Sequence, residues 1–158
     1  MANISRWIIN TAFTTVTFTA GDLNSLASGG AAVATSVITN GTALDLYADV
    51  SLIVTVGGTT TVNSFLTLFL LPLQQDGTTY GDGAVSSTTV QPVVTYLEKS
   101  AWVKVGVASG STVSAMFRGV VLPPGDFKFA LGNNLGVALS STAALTLKYR
   151  SYNENLNA

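Results

Sequence analysis

Apolar and polar residues alternate with a period of two through most of the chain, and clusters of Gly, Asn, Asp, Ser and Pro interrupt the alternation at short intervals. Successive side chains of an extended backbone point to opposite faces, so this pattern predicts half-buried antiparallel strands. Phe13–Thr19 and Ala31–Thr39 are the first two runs, with Ala27-Ser28-Gly29-Gly30 as the loop between them. The clearest run is Leu44 to Val56. Leu44, Leu46, Ala48, Val50, Leu52, Val54 and Val56 form one face, while Asp45, Tyr47, Asp49, Ser51 and Thr55 form the other. Gly57-Gly58 breaks the run, and Gly57–Thr61 reads as a hairpin connection. Thr61–Leu71 carries bulky residues on both faces, which predicts a central strand covered on both sides.

Pro72 to Pro92 is the longest irregular stretch. Further runs follow around Val93–Lys99, Trp102–Val107 and Thr112–Leu122, with Ser109-Gly110 as a turn. Leu122-Pro123-Pro124-Gly125-Asp126 is a strong turn signal, Phe127, Phe129 and Leu131 alternate, and Gly132-Asn133-Asn134 predicts another turn. Leu135–Leu139 and then Leu145, Leu147 and Tyr149 close the pattern. About eight to ten short strands without a long helix predict an all-β fold, an antiparallel two-sheet sandwich. Long connections in the first half let strands cross between sheets, which favours a jelly roll with an extended N-terminal segment. An immunoglobulin-like sandwich is the alternative, with fewer strands and a Cys–Trp–Cys core that this chain lacks. The expected organisation is an N-terminal arm or edge strand over 1–12, one sandwich domain over 13–152 and a loose polar tail over 153–158.

Composition narrows the partners. Only 9% of the 158 residues are charged and 47% are hydrophobic, against about a quarter charged in an average domain. The seven basic residues are scattered from Arg6 to Arg150 and the net charge is −1, so no nucleic-acid partner is expected. The longest apolar run, Phe65–Leu73, falls far short of the roughly 20 residues that cross a bilayer, so no membrane partner is expected either. Met1–Asn10 lacks a signal-peptide core, which points to synthesis in a cytoplasm. A weakly charged, apolar-rich surface resists association poorly, which favours a chain that lives in an assembly.

His and Cys are absent, which removes Ser-His-Asp and Cys-His nucleophile systems and the common zinc sites. Asp45 and Asp49 would lie on one strand face, four residues and so about 13 Å apart, wider than the roughly 5–9.5 Å of paired glycosidase carboxylates. No enzyme activity, cofactor or metal is expected. The loop Asp76-Gly77-Thr78-Thr79-Tyr80-Gly81-Asp82-Gly83 offers carboxylates to a hard cation, but it matches no calcium-loop spacing and reads more simply as a turn-rich loop. Trp102 and Lys104 would share one strand face. With Tyr80 and Tyr96, Trp102 forms either an aromatic platform for a sugar or a packing residue against the core or a neighbouring subunit. Two prolines at Pro123-Pro124 are too few for a polyproline ligand, and Gly132–Gly136 lacks a P-loop lysine. The cluster Ile4, Arg6, Trp7, Ile8 and Ile9 reads either as an edge strand or as an arm that adds to a neighbour.

Two passages, Phe65–Gly83 and Leu122-Pro123-Pro124-Gly125-Asp126-Phe127-Lys128-Phe129-Ala130-Leu131-Gly132-Asn133, are similar to virion proteins of tailed bacteriophages, in particular to small β-sandwich decoration or cement proteins. In those families a Leu-Pro-rich turn, an aromatic-alternating strand and an Asn-bearing turn lead to the closing strands. The resemblance implies a homo-oligomer that binds the major capsid protein on the outer capsid surface of the virion and stabilises the shell against packaged DNA. Ile4, Arg6, Trp7, Ile8 and Ile9 are then candidate capsid or subunit contacts, and Asp76, Tyr80, Asp82 and Trp102 candidate surface-loop contacts. The alternative is a carbohydrate- or receptor-binding module of a tail or head fibre, because a β-sandwich hosts either function.

Overall fold

The computed structural model describes residues 4–9, 12–19, 21–81, 88–90, 97–142 and 145–157; for 4–7, 88–90, 97–98 and 155–157 only the backbone is described. Its strands are β1 (Ile4–Ile9), β2 (Thr14–Val16), β3 (Gly30–Val33), β4 (Ile38–Thr39), β5 (Tyr47–Thr55), β6 (Phe65–Pro72), β7 (Thr88–Val90), β8 (Leu97–Trp102), β9 (Thr112–Val121), β10 (Asp126–Asn134) and β11 (Thr146–Asn157).

One sheet has the order β1-β11-β5-β9, with β2 also on β11; the other has the order β7-β3-β10-β6-β8, with β4 also on β10. Every pairing is antiparallel. β2 and β1 pair successive stretches of β11, and β3 and β4 pair successive stretches of β10, so each couple acts as one interrupted strand. From β2 the chain visits the first sheet, the second with β3 and β4, the first with β5, the second with β6 to β8, then β9, β10 and β11 in alternation. This is the wiring of a double-sheet jelly roll, with β7 as an added edge strand beside β3. β5 and β6 therefore lie in different sheets, and Gly57–Thr61 is an inter-sheet crossover, not the hairpin that its glycines suggest.

The core is the alternation made physical. Ala48, Val50, Leu52 and Val54 of β5 are buried with Leu66, Leu68, Phe127, Phe129, Leu131 and Leu147 between the sheets. Phe127 and Phe129 meet edge to face, ring centroids 5.4 Å apart. β6 is covered on both sides as its sequence predicts: Phe69 and Leu71 pack outside the sandwich with Val33, Ala130 and Tyr80. Tyr80 comes from the long irregular segment, whose described residues 73–81 thus fold back over the second sheet.

Four expectations are corrected, the first three because a side chain captures backbone groups that a ladder would otherwise use and the fourth because a ladder extends further than expected. Leu44 and Leu46 precede β5 and are exposed. Asn40 holds that segment, its Nδ2 donating to Asp45 O (2.8 Å) and Pro123 O (2.9 Å) while Asp45 N donates to its Oδ1 (2.8 Å). Asn133 is not in a turn but at the buried end of β10, and it ties down 135–139 where a strand is expected. Its Nδ2 donates to Leu26 O (2.8 Å) and Val137 O (2.9 Å), and its Oδ1 accepts from Leu135 N (3.0 Å). The run Trp102–Val107 leaves the sheet after Trp102, where the Thr60 hydroxyl donates to Lys104 O (2.8 Å) and accepts from Val107 N (2.9 Å). The polar tail is not loose: β11 continues to Asn157 against β1. Asn153 accepts Leu46 N (2.8 Å) and donates to Asp45 Oδ1 (2.9 Å).

Candidate functional site

At one end of the sandwich the crossover after β5, the start of β6 and the end of β8 converge. Phe65 and Trp102 are cross-strand partners in this edge of the second sheet, ring centroids 5.2 Å apart. Trp102 is nevertheless 71% exposed, with Val62 at 73% and Val105 at 53%. Val103 N donates to Ser64 O (2.8 Å) and Gly106 N to Thr60 O (3.0 Å), so the two loops carrying Val62 and Val105 are pinned to each other beside the indole. An aromatic and two β-branched side chains held in water by a rigid frame form a surface suited to a protein contact. Trp102 does not line the core, and it does not share a strand face with Lys104.

The surface-loop candidates are not brought together. Tyr80 is buried and bridges Leu73 just beyond β6, at the far end of the strand from Trp102. The seven steps from Phe65 to Pro72 separate the two ends by about 23 Å at roughly 3.3 Å per residue. Tyr80 is thus a packing residue and not a surface contact: Lys128 Nζ lies 4.6 Å from its ring centroid. Burial raises the Tyr80 phenol, with the nearby Asp126 charge adding to it, and burial lowers the Lys128 ammonium. Asp76 is exposed, but its Oδ1 accepts Thr78 N (3.0 Å) and Thr79 N (2.8 Å). Hydrogen bonds from Thr79 and then Thr78 lower its pKa to about 2. The carboxylate closes its own turn. Asp82 and Tyr96 lie outside the described residues, and among those described no three His, Cys, Asp or Glu side chains gather as metal ligands.

The N-terminal cluster forms β1, an edge strand whose Ile4–Ile9 pair with Asn157–Tyr152. Ile8 and Ile9 are exposed; the side chains of Ile4, Arg6 and Trp7 lie outside the described residues.

A second surface has no signal in the sequence pattern. Ile9 of β1, Asp49 of β5, Arg118 of β9, and Arg150 and Tyr152 of β11 line a cleft of about 490 Å³ on the outer face of the first sheet. Arg150 and Asp49 are cross-strand partners and form a salt bridge, Nη2 to Oδ2 3.0 Å. Asp49 Oδ1 also accepts Gly119 N at 3.4 Å and the Tyr152 hydroxyl at 3.5 Å. Tyr47 stacks on Tyr152 at 5.8 Å, and the Arg150 guanidinium lies 4.9 Å over Phe13. Burial first and the Asp49 charge second raise the Tyr152 pKa, which keeps the phenol a neutral hydroxyl near pH 7. Asp49 and Arg150 are 101 positions apart, so only the sheet order joins them.

No protein-family model matches the chain, and no curated protein matches it in sequence. Among solved structures, the chain is similar to one from the infectious bursal disease virus Gx strain, at 12% identity and a TM-score of 0.43 over 99% of this chain and 33% of that one. It therefore spans about one third of that protein's length. It is also similar to the Yersinia pseudotuberculosis-derived mitogen (11% identity, TM-score 0.27, 94% and 86% covered). A third is the pilus protein of Bacillus endospore appendages (13% identity, TM-score 0.26, 100% and 93% covered). Likenesses this weak assign no function.

Proposed function

We propose that this chain is a structural virion protein that docks on the outside of an assembled phage head and reinforces it as a homo-oligomer, with no catalytic role. The observation that carries the reading is the apolar end of the sandwich, where Trp102, its ring tilted against Phe65, stands in water with Val62 and Val105 also exposed. Burying about 150 Å² of aromatic surface is worth roughly 4 kcal/mol at about 25 cal/mol per Å². That is modest for one contact, but when the linked subunits of one oligomer each make it on a symmetric shell the contacts add up to durable attachment. The similarity of Phe65–Gly83 and Leu122–Asn133 to decoration proteins and the jelly-roll wiring support the same reading. The exposed Ile8 and Ile9 on edge strand β1 are the second candidate grip, between copies or on the shell.

Purified protein mixed with undecorated heads and sedimented tests this. Co-sedimentation that saturates, and that Trp102→Ala abolishes without changing the melting curve, is the expected result. Failure to co-sediment at any ratio overturns the proposal.

A further inference from the structure

We propose that the cleft on the outer face of the first sheet binds a carboxylate-bearing sugar, a uronic or sialic acid residue. The backbone is shaped for it. β5 and β9 lose register between Ala48 and Val50, whose partners are Val120 and Phe117. Arg118 and Gly119 are therefore the two bulged residues opposite Asp49. Gly119 takes φ +62°, a conformation that side-chain-bearing residues rarely adopt. Such bulges re-aim a side chain, and they recur beside binding sites. Here the bulge places Arg118 on the cleft wall and turns the Gly119 N–H onto Asp49.

The charges are unequal. Asp49 is matched by Arg150, while Arg118 is exposed and makes no ion pair among the described residues. One guanidinium is thus available for bidentate contact with a carboxylate. The Arg150 side chain also lines the cleft, and its Nε is buried without a hydrogen-bond partner among the described residues. Asp49 and the Tyr152 hydroxyl offer partners to ring hydroxyls, and Ile9 supplies apolar surface to a sugar face. A phosphate dianion would bring two charges and at most one hydroxyl toward Asp49, whereas a sugar acid brings one charge and several ring hydroxyls that the carboxylate can accept from, so a sugar acid suits the cleft better. The cleft volume lies within the roughly 300–1,000 Å³ of small-ligand sites.

The proposal is independent of docking through Trp102, because the cleft is on a sheet face and Trp102 is at the sandwich end, although Ile9 is shared with the second candidate grip on β1. Backbone-amide NMR titration of the full chain with glucuronic acid and with N-acetylneuraminic acid tests it, with glucose as the neutral control. Expected are saturable shifts at Arg118, Gly119 and Tyr152 with at least one acid and none with glucose, and an affinity loss of about tenfold or more in Arg118→Ala. Trp102→Ala is expected to bind the acid unchanged. No saturable shift with either acid, equal binding of glucose, or an Arg118→Ala affinity within about twofold overturns the proposal. So does saturable binding of an acidic peptide with the sugar acids silent, which would assign the cleft to a protein segment.

Discussion

Replacing Asn133 by Ala removes one amide that bonds three backbone groups; Leu26 O keeps its bond from Leu139 N (3.0 Å), while Val137 O and Leu135 N lose the partner they have. Asn133 itself is fully buried. A typical intramolecular hydrogen bond contributes a net ~1 kcal/mol, and a buried group left without a partner costs about 1–3 kcal/mol. The Val137 contact is only partly buried and counts at the low end. The sum is about 4 kcal/mol, a large share of the roughly 5–15 kcal/mol that stabilises a domain. At about 2–4 °C per kcal/mol for this chain length, melting falls by roughly 8–16 °C. Urea unfolding followed by circular dichroism gives the free energy directly, with an unchanged denaturant slope if the folded state keeps its compactness. Asn133→Asp sharpens the test, since it keeps the acceptor for Leu135 N but turns an oxygen toward two carbonyls. A loss below about 1 kcal/mol in Asn133→Ala, or Asn133→Asp as stable as the parent, would refute the reasoning.

Gly136 sits at φ +74°, and a Cβ there would collide with the Thr61 hydroxyl. Gly136→Ala is expected to lose more than about 1 kcal/mol in the same urea assay, and Thr61→Ala in the same chain to recover part of it; full additivity of the two would contradict the clash. Leu44 is exposed at φ +48°, so Leu44→Gly should leave stability unchanged or raise it by up to about 1 kcal/mol, and a melting temperature clearly lower than the parent's would count against the strain. The Asp76 carboxyl is lowered from 3.8 to about 2, so its contribution to the turn is fully present above pH 3.8 and lost as pH falls through about 2. Carboxyl NMR should show that midpoint, with the Thr78 and Thr79 amides moving in step; a midpoint near 3.8 would show that the turn is not held this way.

The two-sheet sandwich is legible in the sequence because burial on one face writes itself as alternation, and β5 and β6 show it residue by residue. Sheet membership is legible only in outline. Gly57-Gly58 looks like a hairpin because glycine marks a tight bend without saying which sheet the chain enters next. A Cβ at Gly57 would stand 2.7 Å from the Leu139 carbonyl, so close packing of the crossover demands this residue. Asn133 and Asn153 misled for a common reason. Asn favours turns when its side chain bonds locally, yet Asn133 and Asn153 also bond groups 107 positions away. Trp102 could be singled out as an unusual residue in a strand run, but its exposure could not. The cleft was invisible, because Asp49 and Arg150 meet by register and Arg118 reaches them through a bulge that no local pattern announces.

The proposed function stands on attachment to a head shell through the Trp102 end of the sandwich. Cryo-electron microscopy of undecorated heads incubated with the protein, and in parallel with Trp102→Ala, measures it most directly. Symmetric density on the outer surface is expected for the parent chain, with Val62, Trp102 and Val105 at the contact, and bare heads for the variant. Bare heads with the parent chain, or density that seats the opposite end of the sandwich on the shell, would contradict it.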